Sequence, residues 1–136
     1  MKKTPRGIRN CNPGNLRHSN DKWQGMRADQ TDKEFVQFTS MAYGYRALAK
    51  NMKTHFNKYG ADTIRKLISR HAPSNENNTE AYIAHVCKYL GMKADDKIII
   101  FDDKLAVDLC CIICKIENGV DADRKEVEYG VQLACL

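Results

Sequence analysis

Over residues 105–116 the chain is apolar at every position except Asp108 and Lys115. A helix apolar on all sides belongs at the centre of a small domain, not on its coat. Asp102 or Asp103 opens it, and Glu117-Asn118-Gly119 closes it with Asn and Gly as natural cap residues. Upstream, Tyr45, Leu48, Ala49, Met52 and Phe56 recur at helical spacing and predict a helix over Met41–Tyr59, stopped by Gly60. Asp62 is expected to cap a short helix carrying Ile64, Leu67 and Ile68, which ends before Ala72-Pro73. Asn78 or Thr79 opens a further helix with Tyr82, Ile83, Val86 and Leu90 on one side, and Gly91 stops it. Residues 123–136 predict a last helix, interrupted by Gly130.

The first 40 residues show no such period and read as loop and short strand. Asn12-Pro13-Gly14-Asn15 is dense turn chemistry, Pro fixing φ and Gly permitting positive φ. Residues 26–28 and 35–38 can pair as a hairpin across the polar turn 29–33. The sum is a mainly α (α+β) single domain over residues 1–136, with a small β-hairpin near its start.

Composition narrows this little: 43% apolar and 29% charged residues in 136 are ordinary for one globular domain. The distribution of charge says more. Lys2, Lys3, Arg6, Arg9, Arg17, Lys22 and Arg27 stand against Asp21 alone at the start, whereas residues 95–128 hold ten carboxylates. An anionic polymer would meet the N-terminal third, although a solvated basic arm has the same composition. Met1-Lys2-Lys3 runs into Thr4-Pro5-Arg6-Gly7 instead of an apolar stretch, so no signal peptide is expected. No run approaches the length of a membrane span. Synthesis in the bacterial cytoplasm is expected, with delivery elsewhere by other components. The six cysteines show no paired Cys-x-x-Cys spacing; three share the apolar helix, as reduced, buried thiols would. His18, His55, His71 and His85 have no metal spacing, and Gly7, Gly14 and Gly25 form no phosphate loop. No cofactor or metal is expected. No helix rich in base-reading residues follows the basic region, so no nucleic acid is expected either.

The candidate chemistry begins at Glu117. At the carboxyl end of a buried helix, both the dipole and apolar neighbours disfavour its charge, which is what a general acid needs. A glutamate at a fraying helix end pointing into water is the plainer alternative.

The segment Arg6-Gly7-Ile8-Arg9-Asn10-Cys11-Asn12-Pro13-Gly14-Asn15-Leu16-Arg17 resembles the opening of a family of small phage-encoded virion proteins with a lysozyme-like look. The resemblance continues through Trp23-Gln24-Gly25, Asp32, Phe35-Val36-Gln37-Phe38, Gly44-Tyr45-Arg46-Ala47-Leu48, Glu76-Asn77-Asn78-Thr79 and Glu117-Asn118-Gly119. A second resemblance is to bacterial wall glucosaminidases and lytic transglycosylases, whose catalytic Glu ends a buried helix before a hairpin. Here the Glu-Asn-Gly helix comes last, as in a circular permutation of a lysozyme-like arrangement. Thr79-Glu80-Ala81-Tyr82-Ile83 looks like the transglycosylase helix that presents a Tyr to the site.

These resemblances imply a peptidoglycan hydrolase that cuts glycan strands, of muramidase, glucosaminidase or lytic transglycosylase type, with Glu117 as general acid. Asp32 is the first choice for a second carboxylate and Glu34 the next, although Asp32 could equally serve as an Asx-turn residue. Tyr82, Trp23, Asn12, Asn15 and Arg17 are candidate substrate contacts. Core packing is open to Tyr82, hairpin anchoring to Trp23, and turn architecture to the two asparagines. The alternatives are a non-enzymatic virion or wall-binding protein of the same fold, and a delivered antibacterial effector. The partners expected are peptidoglycan glycan strands and other virion or secretion components.

Overall fold

The computed structural model describes residues 3–74 and 77–136; Met1 and Lys2 of the basic stretch and Glu76 of the family-like motif lie outside them. Among the described residues the order is α1 (Arg6–Arg9), α2 (Met41–Tyr59), α3 (Ile64–His71), α4 (Thr79–Leu90), α5 (Asp103–Asn118) and α6 (Arg124–Ala134). None of these helices is long and apolar enough to cross a membrane.

The helix boundaries follow their caps. Asn78, Asp102 and Asp123 accept from backbone N–H groups of the first turns of α4, α5 and α6. Gly60, Gly91 and Gly119 end α2, α4 and α5 in the left-handed conformation. The start of α3 differs from expectation. Thr63, in extended conformation, accepts from Lys66 N, while Asp62 turns outward to pair with Lys66 Nζ at 3.1 Å.

Helices α2 and α5 share the centre. Tyr45, Ala47, Leu48, Ala49 and Met52 of α2 meet Leu109, Cys110, Ile113 and Cys114 of α5 in one core. Helix α5 is not apolar all round: Lys104, Asp108, Cys111 and Lys115 mark an outward stripe at spacings of three and four residues. Helix α6 runs unbroken through Gly130, correcting the expected interruption. A Cβ there would stand 2.6 Å from the Ala42 carbonyl oxygen and 2.7 Å from Tyr45 Cβ. The glycine therefore serves close helix packing rather than a break.

The cysteines divide by burial. Cys110 and Cys114 are buried around Tyr45, whose hydroxyl donates to Cys114 Sγ at 3.5 Å. Cys11, Cys87 and Cys111 are half-buried and Cys135 is exposed, so the small-hydrophobe role describes only part of the set.

The N-terminal third holds a short helix, α1, that the turn-rich sequence concealed. The expected hairpin is reduced to two isolated antiparallel bridges, Arg17 with Phe35 and Met26 with Phe38. A few backbone bonds remain, among them Val36 N–H to Leu16 O at 3.0 Å and Arg27 N–H to Gln37 O at 2.9 Å, and side chains add to them. Gln37 Oε1 accepts from Thr31 N at 2.6 Å and from Asp32 N at 3.2 Å. Gln30 accepts from Gln37 N and donates to Gln37 O, both at 2.8 Å. Amides thus satisfy backbone groups of the turn that the few backbone bonds leave over.

Candidate functional site

Glu117 stands one residue before the end of α5 and is half-buried. Its two carboxylate oxygens have separate donors: Asn15 Nδ2 at 2.9 Å and the Tyr82 hydroxyl at 2.8 Å. It is therefore not a frayed end facing bulk water.

The donors come from segments far apart in the chain, and specific contacts hold them there. Asn118, next to Glu117 and buried, donates to the Pro13 carbonyl at 2.9 Å and so fixes the Asn12-Pro13-Gly14-Asn15 turn to the end of α5. Gly7 lets α1 lie against the same point, since a Cβ on it would collide with Asn118 Oδ1. Gly44 does the same for α2, where a Cβ would collide with the Cys11 carbonyl oxygen. Asn15 itself has φ of 51°, a left-handed conformation that Asn tolerates. Tyr82 is buried in the first turns of α4, and its phenol pKa is raised first by burial and then by the Glu117 charge.

Glu117 opens onto a cleft of about 520 Å³ whose walls include Asn15, Arg17, Trp23, Asn51, Arg70 and His71. His71 ends α3, its ring edge-on to Tyr82 at 6.2 Å between centroids. Burial pushes the His71 imidazole below its ordinary range, while the Glu117 charge and a hydrogen bond to the Gly14 backbone act in the opposite direction. His55, also in the cleft wall, is held down to about 4, first by burial and then by the Arg70 and His71 charges. It is neutral near pH 7.

The other sequence candidates separate clearly. Trp23, Asn15 and Arg17 join Glu117 in the cleft wall. Tyr82 reaches Glu117 from behind that wall. Asn12 does not face the cleft: it is 0% exposed, accepts from Leu16 N and donates to the carbonyls of Leu16 and Val36. It belongs to the turn rather than to a substrate. Glu34 is exposed and bridges Arg6 and Arg17, each at 3.4 Å.

Asp32 stands in a separate recess lined by Arg6, Asn10, Thr31 and Gln37. Its oxygens accept from Arg6 Nε and Nη2, each at 2.8 Å, from Asn10 Nδ2, and from the backbone N–H groups of Glu34 and Phe35. Arg6 chiefly holds its carboxyl far below the usual carboxylate range. Five hydrogen bonds leave no lone pair to activate water, and the geometry is that of the Asx-turn alternative. A depressed native pKa gives stability that is complete above the unfolded value, about 3.9, and lost as pH falls below it. Urea unfolding from pH 5 to pH 2.5 should therefore show a loss of stability in the parent that Asp32→Asn, already destabilised at pH 5, largely lacks.

Sequence reading overlooked Asn51, Arg70 and His71. Helical position hides Asn51 and Arg70 among ordinary surface residues, and His71 was weighed only for metal spacing. Its place beside Ala72-Pro73, at a helix end, was the available signal. Among the described residues no three His, Cys, Asp or Glu side chains gather to hold a metal ion.

No family model matches the chain. Protein P5 of Pseudoalteromonas phage PM2 is 32% identical to it over 133 residues, an alignment that covers 92% of this chain and 81% of the relative. Identity at that level over nearly the whole chain places the two in one group of phage-related proteins, and the chain belongs to the family of Protein P5 of phage PM2.

Proposed function

We propose that the protein is a phage or phage-derived peptidoglycan hydrolase, a lysozyme-like domain that cuts the glycan strand with Glu117 as its general acid. The observation that carries this reading is the Glu117 carboxyl group, half-buried at a cleft and held at each oxygen by a donor from a different part of the chain. In the protonated form, Glu117 passes its proton to the glycosidic oxygen as the bond to the anomeric carbon breaks. The positive charge left on the sugar is relieved by its own acetamido oxygen, which makes a second carboxylate dispensable. The acetamido adduct is then opened by water, giving a reducing end, or by the sugar's own 6-hydroxyl, giving an anhydro end. Either attacking hydroxyl returns a proton to the Glu117 carboxylate. Neither Asp32 nor Glu34 shares this cleft; Asp21 stands on its wall, and the reading rests on Glu117 alone as the acid. The family relationship supports the phage origin in this reading, and action in a virion or at a cell wall after delivery is part of the proposal.

Tyr82 positions the acid rather than touching the sugar. Tyr82→Phe removes the hydroxyl bonded to Glu117 Oε2 and leaves the ring in the core. The expected result is a fall in kcat of roughly tenfold with KM little changed, as for a catalytic group loosened from its geometry. A purely structural tyrosine would change the melting temperature and leave kcat alone.

Incubation with purified peptidoglycan and mass analysis of the fragments tests the function. Anhydro ends, reducing muramic ends and reducing glucosamine ends name the bond and the attacking group. The absence of any product supports the rival reading, a wall-binding virion protein of the same fold, which the hydrogen-bonded saturation of Asp32 favours. Lysis only after delivery into a target cell would mark the antibacterial effector.

A further inference from the structure

The cleft wall carries two arginines, Arg17 and Arg70, and they are held differently. Arg6 is held by Asp32, Arg65 by Glu80 and Asp95, and Arg124 by Asp108; Arg17 reaches Glu34. No described carboxylate lies within ion-pair distance of Arg70. Its guanidinium instead lies on the face of Tyr59, 4.1 Å from the ring centroid. Stacking fixes the plane of the group and leaves its N–H edge free to form a fork with an oxyanion. Tyr59 is itself braced by the edge of His55, with centroids 6.2 Å apart. The last turn of α2 thus presents the ring and the last turn of α3 lays the cation on it, beside the cleft onto which Glu117 opens.

We propose that Arg70, laid on Tyr59, is an anion subsite of the cleft and takes a carboxylate carried by the glycan. The proposal rests on the glycan-cleaving reading and deepens it, by making the site prefer strands of acidic sugars over neutral chitin-like ones. Two carboxylates on such a strand have the required chemistry: the lactyl group of the sugar and the acidic end of a short stem peptide. His55 and His71 flank the subsite, and Arg17, Asp21 and Glu117 stand elsewhere on the cleft wall.

The test is binding of three probes to the intact protein at low salt, followed by calorimetry and by the NMR signals of the arginine side chains. The probes are N-acetylglucosamine, N-acetylmuramic acid and N-acetylmuramoyl dipeptide. At least one acidic probe is expected to bind about tenfold more tightly than N-acetylglucosamine, with the preference falling as salt is added. The tighter of the two acids identifies the carboxylate. Arg70→Gln should erase the preference, Arg70→Lys should keep part of it, and Tyr59→Leu should weaken it while the fold stays intact. Equal binding of all three probes, or a preference that survives Arg70→Gln, would overturn the subsite. Failure of the function is read separately. If wild-type protein yields no glycan fragments yet shows the Arg70-dependent preference, the subsite stands and hydrolysis falls. If Glu117→Gln stops cleavage while Arg70→Gln changes neither binding nor KM, hydrolysis stands and the subsite falls.

Discussion

Glu117→Gln is expected to abolish glycan cleavage, by at least roughly a thousandfold, while the protein stays folded. Glutamine fills the same volume but has no carboxylic proton to give to the leaving oxygen. The surroundings accommodate the change. The Tyr82 hydroxyl can still donate to the new amide oxygen. On the other side, the Asn15 amide now donates to the carboxylate, while its own Oδ1 is buried with no partner. Turning the Asn15 amide over would place that oxygen against the new glutamine NH2 and move the unpaired position to Asn15 Nδ2, so the number of unpaired groups does not rise. The net cost is therefore small, within about 1 kcal/mol. Thermal unfolding alongside a fragment assay separates the two effects. A folded variant that cuts peptidoglycan at the parent rate would remove Glu117 from the reaction.

The largest effect on stability is expected at Asn12. One fully buried amide there accepts from Leu16 N at 2.9 Å and donates to Leu16 O and Val36 O at 2.9 and 2.8 Å. Asn12→Ala leaves one main-chain donor, Leu16 N, and one acceptor, Val36 O, without partners in the buried turn, while Leu16 O keeps its bond from Val36 N at 3.0 Å. Even with partial relaxation the loss is about 3 kcal/mol, or roughly a 10 °C fall in melting temperature for a domain of this size. The same change should loosen the turn that carries Asn15 and so reduce cleavage at temperatures where the variant is still folded. Asn12→Asp, which keeps an acceptor for Leu16 N but turns repulsive toward both carbonyls, should not restore either property. A melting temperature within 2 °C of the parent would show that the turn holds its shape without the amide.

The sequence made the helices legible because their signals are local. The apolar spacing of α2 and α4, their terminal glycines, and the Asp102 and Asn78 caps each operate within one or two turns. Gly130 misled for the opposite reason: its role lies in the approach of α6 to the Ala42 carbonyl, a contact between helices far apart in the chain. The N-terminal third misled similarly. Alternation around Phe35 suggested strands, but Gln30 and Gln37 compete for the backbone groups, and nothing in the local pattern records that competition. At the site, the position of Glu117 was readable from the end of an apolar helix. Its partners were partly so: Asn15 and Tyr82 were singled out, yet as contacts for a sugar rather than for the glutamate. The distance between Asn15 and Glu117 along the chain, 102 residues, explains why no spacing rule could join them. Asp32 and Asn12 failed as cleft residues for a shared reason. A polar side chain in a turn has backbone donors close at hand, and these claim it before a substrate can.

Asn118-Gly119 has a consequence for how the protein ages. In a loose chain, an asparagine followed by glycine is prone to ring closure, the glycine nitrogen attacking the side-chain amide carbon and releasing ammonia. Here the Gly119 N–H is engaged by the Lys115 carbonyl at 2.8 Å, and the Asn118 amide is held by Pro13 O at 2.9 Å and Cys114 O at 3.1 Å. The nucleophile and the carbon it would attack are both fixed in a helix cap. The folded protein is therefore guarded against this damage beside Glu117, whereas each excursion to the unfolded chain exposes the pair. Storage lifetime and conformational stability are joined at this one dipeptide.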